Sequence, residues 1–203
     1  MGNSRNHSLV RLFGYQDSVS LDERGRFRLP DDLASALHRE LGRVQRAADP
    51  EMALAAYERL SFYFVPGTQR RVFLYPIPNI DLALERFENP PADLDPEVIR
   101  RARDYLYYRM RFVEADKQNR LVIPEGLREH AHIDEQVQQI TLVAQDYWLA
   151  LIRSDLAEAR VAEQVEAFEQ VAADLLDPAR RTPAAKRPSA PGQAEADRAE
   201  AGQ

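Results

Sequence analysis

The sequence has no cysteine, which excludes a disulfide framework, a thiolate nucleophile and a cysteine-ligated zinc site. Lysine is nearly absent: Lys117 and Lys186 stand against 25 arginines. Any cationic face is therefore a guanidinium face, suited to bidentate contacts with phosphate or guanine. Long apolar runs are missing too. The longest, Met52–Tyr57 and Tyr147–Ile152, hold six residues, far short of the roughly 20 that a spanning helix needs. The opening Met-Gly-Asn-Ser-Arg-Asn-His has no apolar stretch like that of a secretory signal and no Ser or Thr where myristoylation wants one. These absences predict a soluble cytoplasmic protein with no membrane partner. There is no Gly-rich phosphate loop, no Ser–His–Asp frame and no suggestively paired carboxylates, so no enzyme, cofactor or small-molecule substrate is expected. His130 and His132 are two apart and would not share a helix face, so no metal site is expected either.

What is present suffices for a core. The chain has 203 residues, of which 44% are apolar, and a formal charge of −6. Its last 27 residues, Asp177–Gln203, contain four prolines and no large apolar side chain. They are predicted to be a disordered tail. With five basic and four acidic residues the tail carries +1, which leaves −7 on residues 1–176. A second break falls at Phe87–Asp95, where Pro90 and Pro91 end one helix and Asp95-Pro96 begins another.

An internal repeat spans that break. Val19, Asp22, Arg26, Pro30 and Leu33 recur as Val113, Asp116, Arg120, Pro124 and Leu127, at a constant offset of 94. Gly25 is matched by Asn119, and both residue types tolerate a left-handed backbone. Each copy reads as a strand (Tyr15–Leu21; Met110–Ala115), an Asp-led tight turn and a short strand (Arg26–Leu29; Arg120–Ile123). A helix with proline in its first turn should follow. Two further strands come next, Ser61–Val65 with Val72–Tyr75 and Ile140–Ala144 with Trp148–Ile152. Helices are expected at Ile80–Phe87, at Glu97–Tyr108 with Tyr105, Leu106 and Tyr108 as anchors in the core or at a subunit interface, and from Ser154 to Leu176. The expected units are thus 11–87, with a helical insertion near 38–59, and 96–176. Four short strands are too few to bury a core alone, so the copies should complete each other.

The turn residues admit two readings. Arg26 and Arg28 share one face of a hairpin with Arg24 at its tip, a form that can enter a major groove or grip phosphate. Alternatively, Arg26 and Arg120 pair with Asp22 and Asp116 and only hold the turns. The other arginine clusters, 100–101–103, 109–111 and 70–71, read as solvated faces and ion pairs.

Two copies of Asp22-Glu-Arg-Gly25-Arg26…Leu29-Pro30 and Asp116-Lys-Gln-Asn119-Arg120…Ile123-Pro124, with Pro124-Glu-Gly-Leu-Arg-Glu-His130, resemble the MraZ family over residues 11–165. That family lies within the SpoVT-AbrB group. The resemblance implies an α+β fold in which two tandem β-hairpin/helix units form a pseudo-two-fold, swapped-hairpin β-barrel flanked by helices. It also implies a DNA-binding transcriptional regulator of the division and cell-wall gene cluster. Such a protein would be nucleoid-associated and would bind repeated promoter boxes on double-stranded DNA as a ring homo-oligomer larger than a dimer. Arg26 and Arg120 would contact DNA, with Arg24 and Lys117 beside them and Asp22, Gly25, Asp116 and Asn119 shaping the turns. Asn119 stands where the family has a second glycine, and the stretch from Ala34 to Phe62 is about 17 residues longer than its counterpart. With the acidic body, Asn119 also suits an alternative, an oligomeric interaction module of the same fold that has lost its DNA contacts.

Overall fold

A computed structural model describes residues 9–12, 14–48 and 59–159, together with the helical positions Val161, Val165 and Phe168. The chain up to Arg160 forms one compact unit. The expected disordered tail, residues 49–58 of the insertion and most of the expected final helix lie outside the described residues; 154–159 are helical.

All eight expected strands form: β1 (Gln16–Ser20), β2 (Arg26–Arg28), β3 (Ser61–Pro66), β4 (Val72–Pro76), β5 (Arg111–Glu114), β6 (Arg120–Val122), β7 (Gln139–Gln145) and β8 (Trp148–Arg153). The helices are α1 (Asp31–Ala48), α2 (Ile80–Glu88), α3 (Pro96–Arg109) and α4 (Glu125–Ala131). The fold is mixed α+β, with antiparallel pairing throughout. The expected closed barrel is not what the ladders make. Six strands form an open sheet in the order β1-β7-β8-β4-β3-β5, and β2 and β6 form a separate ribbon. The hairpin arms part company because β2 and β6 are only three residues long and pair with each other.

The strand order reads the same from either edge once each strand is exchanged for its repeat counterpart. β1 pairs with β7 of the second copy, and β5 with β3 of the first. Ser20 faces Gln139 while its counterpart Glu114 faces Ser61, an offset of 78 (139 minus 61). The first copy therefore carries 16 extra residues (94 minus 78) between its turn and its third strand. Part of that excess is α1, one continuous helix of 18 residues where α4 has seven. Leu33, Leu37, Leu41 and Val44 recur every three or four residues and are buried. Asp31 and Asp32 suit its positive N-terminal end.

One core cluster joins both copies, with Phe27, Leu29 and Leu37 packed among Leu121, Ile123, Leu142 and Leu151. A smaller cluster gathers Val65, Tyr75, Ala83 and Leu106, with Phe73 and Trp148 packed against it. The buried Asn79 amide accepts from Val10 N at 2.9 Å and donates to Val10 O at 2.8 Å and Tyr147 O at 2.6 Å. It thereby ties the N-terminal segment to the β7–β8 turn.

Two local expectations are corrected. Pro30 and Pro124 stand immediately before α1 and α4 and not in their first turns; at Pro124 the extended ψ of 141° keeps the residue out of the helix. On α3 only Leu106 is a core anchor. Tyr105 and Tyr108 are exposed, each beneath the Arg109 guanidinium at 5.8 and 5.6 Å. The start of α3 is as expected: the Asp95 carboxylate accepts from Glu97 N at 2.8 Å and Pro96 opens the helix.

Candidate nucleic-acid interface

Each Asp-led turn is organised by one carboxylate. Asp22 Oδ1 accepts from Arg24 N at 3.0 Å and Arg26 N at 2.8 Å, while Gly25 N donates to Asp22 O at 2.8 Å. Asp116 repeats the arrangement with Gln118 N at 2.8 Å, Arg120 N at 2.9 Å and Asn119 N at 2.9 Å. Reversal of the chain requires a positive φ, which is +71° at Gly25 and 57° at Asn119. Asparagine therefore substitutes for glycine here without changing the turn.

The second carboxylate oxygen takes the arginine. Arg26 Nε donates to Asp22 Oδ2 at 2.7 Å, and Arg120 Nε donates to Asp116 Oδ2 at the same distance. Both pairs are partly exposed, so each contributes little to stability but aims a guanidinium. Three N–H donors hold Asp116 well below the ordinary carboxylate range, at about 2, the Arg120 backbone N–H being the largest cause. Asp22 is lowered by the same contacts, again chiefly by the backbone N–H of its arginine. Of the two readings of these arginines, the turn-holding contact is formed. It uses one edge of each guanidinium and is compatible with a DNA contact by the rest.

The β2–β6 ribbon sets where the turns stand. Arg26 faces Val122, Phe27 faces Leu121 and Arg28 faces Arg120. Two more hydrogen bonds, Ile123 N to Gly25 O and Leu29 N to Asn119 O, both 2.9 Å, extend the ribbon to each turn. The turns thus lie at its opposite ends, about 13 Å apart at strand rise. Alternation buries Phe27 and Leu121 and places Arg26, Arg28, Arg120 and the exposed Val122 on the outer face. Arg28 is paired with Asp31 at 2.7 Å. Arg24 and Lys117 are exposed at the tips, and their side chains have no hydrogen bond or ion pair among the described residues.

Of the remaining basic clusters, Arg100 and Arg101 lie on a solvated face, whereas Arg109 is half-buried. Arg100 pairs with Glu97 and Asp104, and Arg101 with Glu97. Arg109 pairs with Glu129 and donates to Gly126 O. His130 connects Tyr105 Oη at 3.0 Å with Gly67 O at 2.8 Å, a packing role between α3 and the β3–β4 turn. No group of three or more metal-ligating side chains occurs among the described residues.

Arg128 is the basic residue that sequence reasoning missed. It projects from α4 against Gly25: a Cβ there would meet its Cδ at 2.9 Å and its Nε at 3.1 Å. One signal was available. In the repeat alignment Arg128 opposes Ala34, the same kind of mismatch as Gly25 against Asn119.

No family model matches the chain. It is similar to a curated protein of Azotobacter vinelandii named transcriptional regulator MraZ. The two are 27% identical over 152 residues, which cover 72% of this chain and 88% of that protein.

Proposed function

We propose that the chain is a DNA-binding transcriptional regulator that contacts double-stranded DNA through Arg24, Arg26, Lys117 and Arg120. The observation that carries this reading is the arginine-bearing outer face of the β2–β6 ribbon, with a basic turn at each end. A two-stranded ribbon fits a major groove about 12 Å wide, close to the spacing of the turns. Arginine there can reach guanine edges or phosphates, and the Asp22 and Asp116 carboxylates orient it. In this reading the chain is two tandem units, 11–87 and 96–176, related by exchange of their hairpin arms. It assembles into a homo-oligomeric ring larger than a dimer and acts in the cytoplasm at the nucleoid. As in the family it resembles, its targets would be repeated promoter boxes of the division and cell-wall gene cluster. A ring multiplies a weak single contact, so tandem boxes should be held far more tightly than one.

A second reading, an oligomeric module without DNA binding, draws on the ion pairs that already engage Arg26 and Arg120. A gel shift separates the two. The full chain should retard tandem-repeat duplex from upstream of its own coding region at concentrations where a scrambled duplex of equal length runs free. Equal retardation, or none, favours the module.

A further inference from the structure

The two turns match in backbone and in their Asp–Arg pairs, yet they differ in what lies against them. At the first turn the Arg128 side chain occupies the space that a Cβ of residue 25 would need. Its Nε is buried without a hydrogen-bond partner, and its guanidinium forms no ion pair among the described residues. At the second turn the repeat counterpart of Arg128 is the buried Ala34, and the turn carries Asn119 in place of glycine. Asn119 demonstrates that this backbone accepts a side chain at positive φ. Glycine at 25 is therefore required by the seat of Arg128 and not by the turn alone.

Arg24, Arg26 and Arg128 line one open cleft of about 1180 Å³. The cleft also holds Glu23, Asp134, Glu135, Asp155 and Glu158. Asp155 is occupied by Arg153, and the Asp22 carboxylate by its own turn. Arg128 packs against Gly25, forms no ion pair with these acids among the described residues, and lines the same cleft as the two turn arginines. The buried Nε lies out of reach of a ligand, but the two terminal nitrogens also have no acceptor among the described residues, and a phosphate oxygen is the acceptor that the proposed DNA contact would bring to them.

Resting on the DNA-binding reading, we propose that Arg128 is a further phosphate-contacting residue, acting at the first turn only. The turns are then unequal: three guanidinium groups serve the first, and Arg120 with Lys117 serves the second. Arg128 comes from the second repeat but works at the turn of the first, so the stronger contact exists only when both copies are folded together.

The test measures full-chain affinity for the tandem upstream duplex across a salt series, with oligomeric mass and melting temperature as controls. Arg128→Ala should weaken binding about tenfold and lower the slope of log K against log salt by about 0.9, at unchanged mass. Arg128→Gln keeps most of the stem against Gly25 and should do the same, which supplies the answer if the alanine variant misfolds. Gly25→Asn should lower the melting temperature in the wild-type background. Combined with Arg128→Ala it should melt like Arg128→Ala alone, while binding stays weak. Wild-type affinity and slope in the folded Arg128 variants, alongside loss of binding in Arg26→Ala, would overturn this inference and leave the DNA-binding reading intact. Absence of any wild-type binding overturns both.

Discussion

Asp22 and Asp116 each perform two tasks with two oxygens: one closes the turn on backbone N–H groups, and the other aims an arginine. The division has a consequence in acid. A carboxylate with a depressed pKa stabilises the fold fully above its ordinary value near 3.8, and that contribution is lost as pH falls through its folded value. For Asp116 the window runs from about 4 down to about 2. Carboxyl-carbon NMR across that range should find Asp116 still ionised at pH 3 and Asp22 titrating below the ordinary aspartate range. Midpoints near 4 for both would mean that the turns are not held this way in solution. These turns were legible because every participant lies within five residues. Arg128 was not, because it meets Gly25 only through tertiary packing of α4 from the other copy.

At the scale of elements, pairing between the copies is the decisive feature. Among the described residues up to Phe87 only β3 and β4 pair with each other; β1 and β2 find their partners in β7 and β6. A chain ending at Phe87 would keep one hairpin and two amphipathic helices, too little to bury its apolar faces. It should show no sharp thermal transition by circular dichroism and should aggregate. A monomer with a cooperative melt would contradict the shared-core account. Alternation and turn chemistry made all eight strands readable, with no end displaced by more than one residue. Barrel closure was not readable, because it depends on whether three-residue strands join the main sheet or each other. Of the two packing roles open to the α3 aromatics, core or subunit interface, only the core is excluded, since Tyr105 and Tyr108 are exposed. Helical spacing identifies a face but not what covers it: Arg109 stacks on Tyr105 and Tyr108 and leaves both exposed.

At the scale of the whole molecule, a formal charge of −6 opposes DNA except where cations project. The ribbon face and its turns supply that projection. Val98, Tyr107, Tyr108 and Phe112 are exposed on α3 and β5, and exposed aromatics suit assembly between copies. Light scattering at micromolar concentration should give a mass above that of two 23.2 kDa chains; the mass of a single chain would remove the ring from the account. The most direct test of the account compares the wild type with the Arg26→Ala/Arg120→Ala variant on tandem upstream repeats. Alanine removes the guanidinium groups but leaves the Asp22 and Asp116 bonds to backbone N–H intact, so oligomeric mass and circular dichroism should not change. The account predicts that binding falls by roughly 1–3 kcal/mol per guanine-reading arginine, with base preference relaxed. Equal affinity of the two proteins for the same duplex would contradict it and reduce both arginines to turn staples.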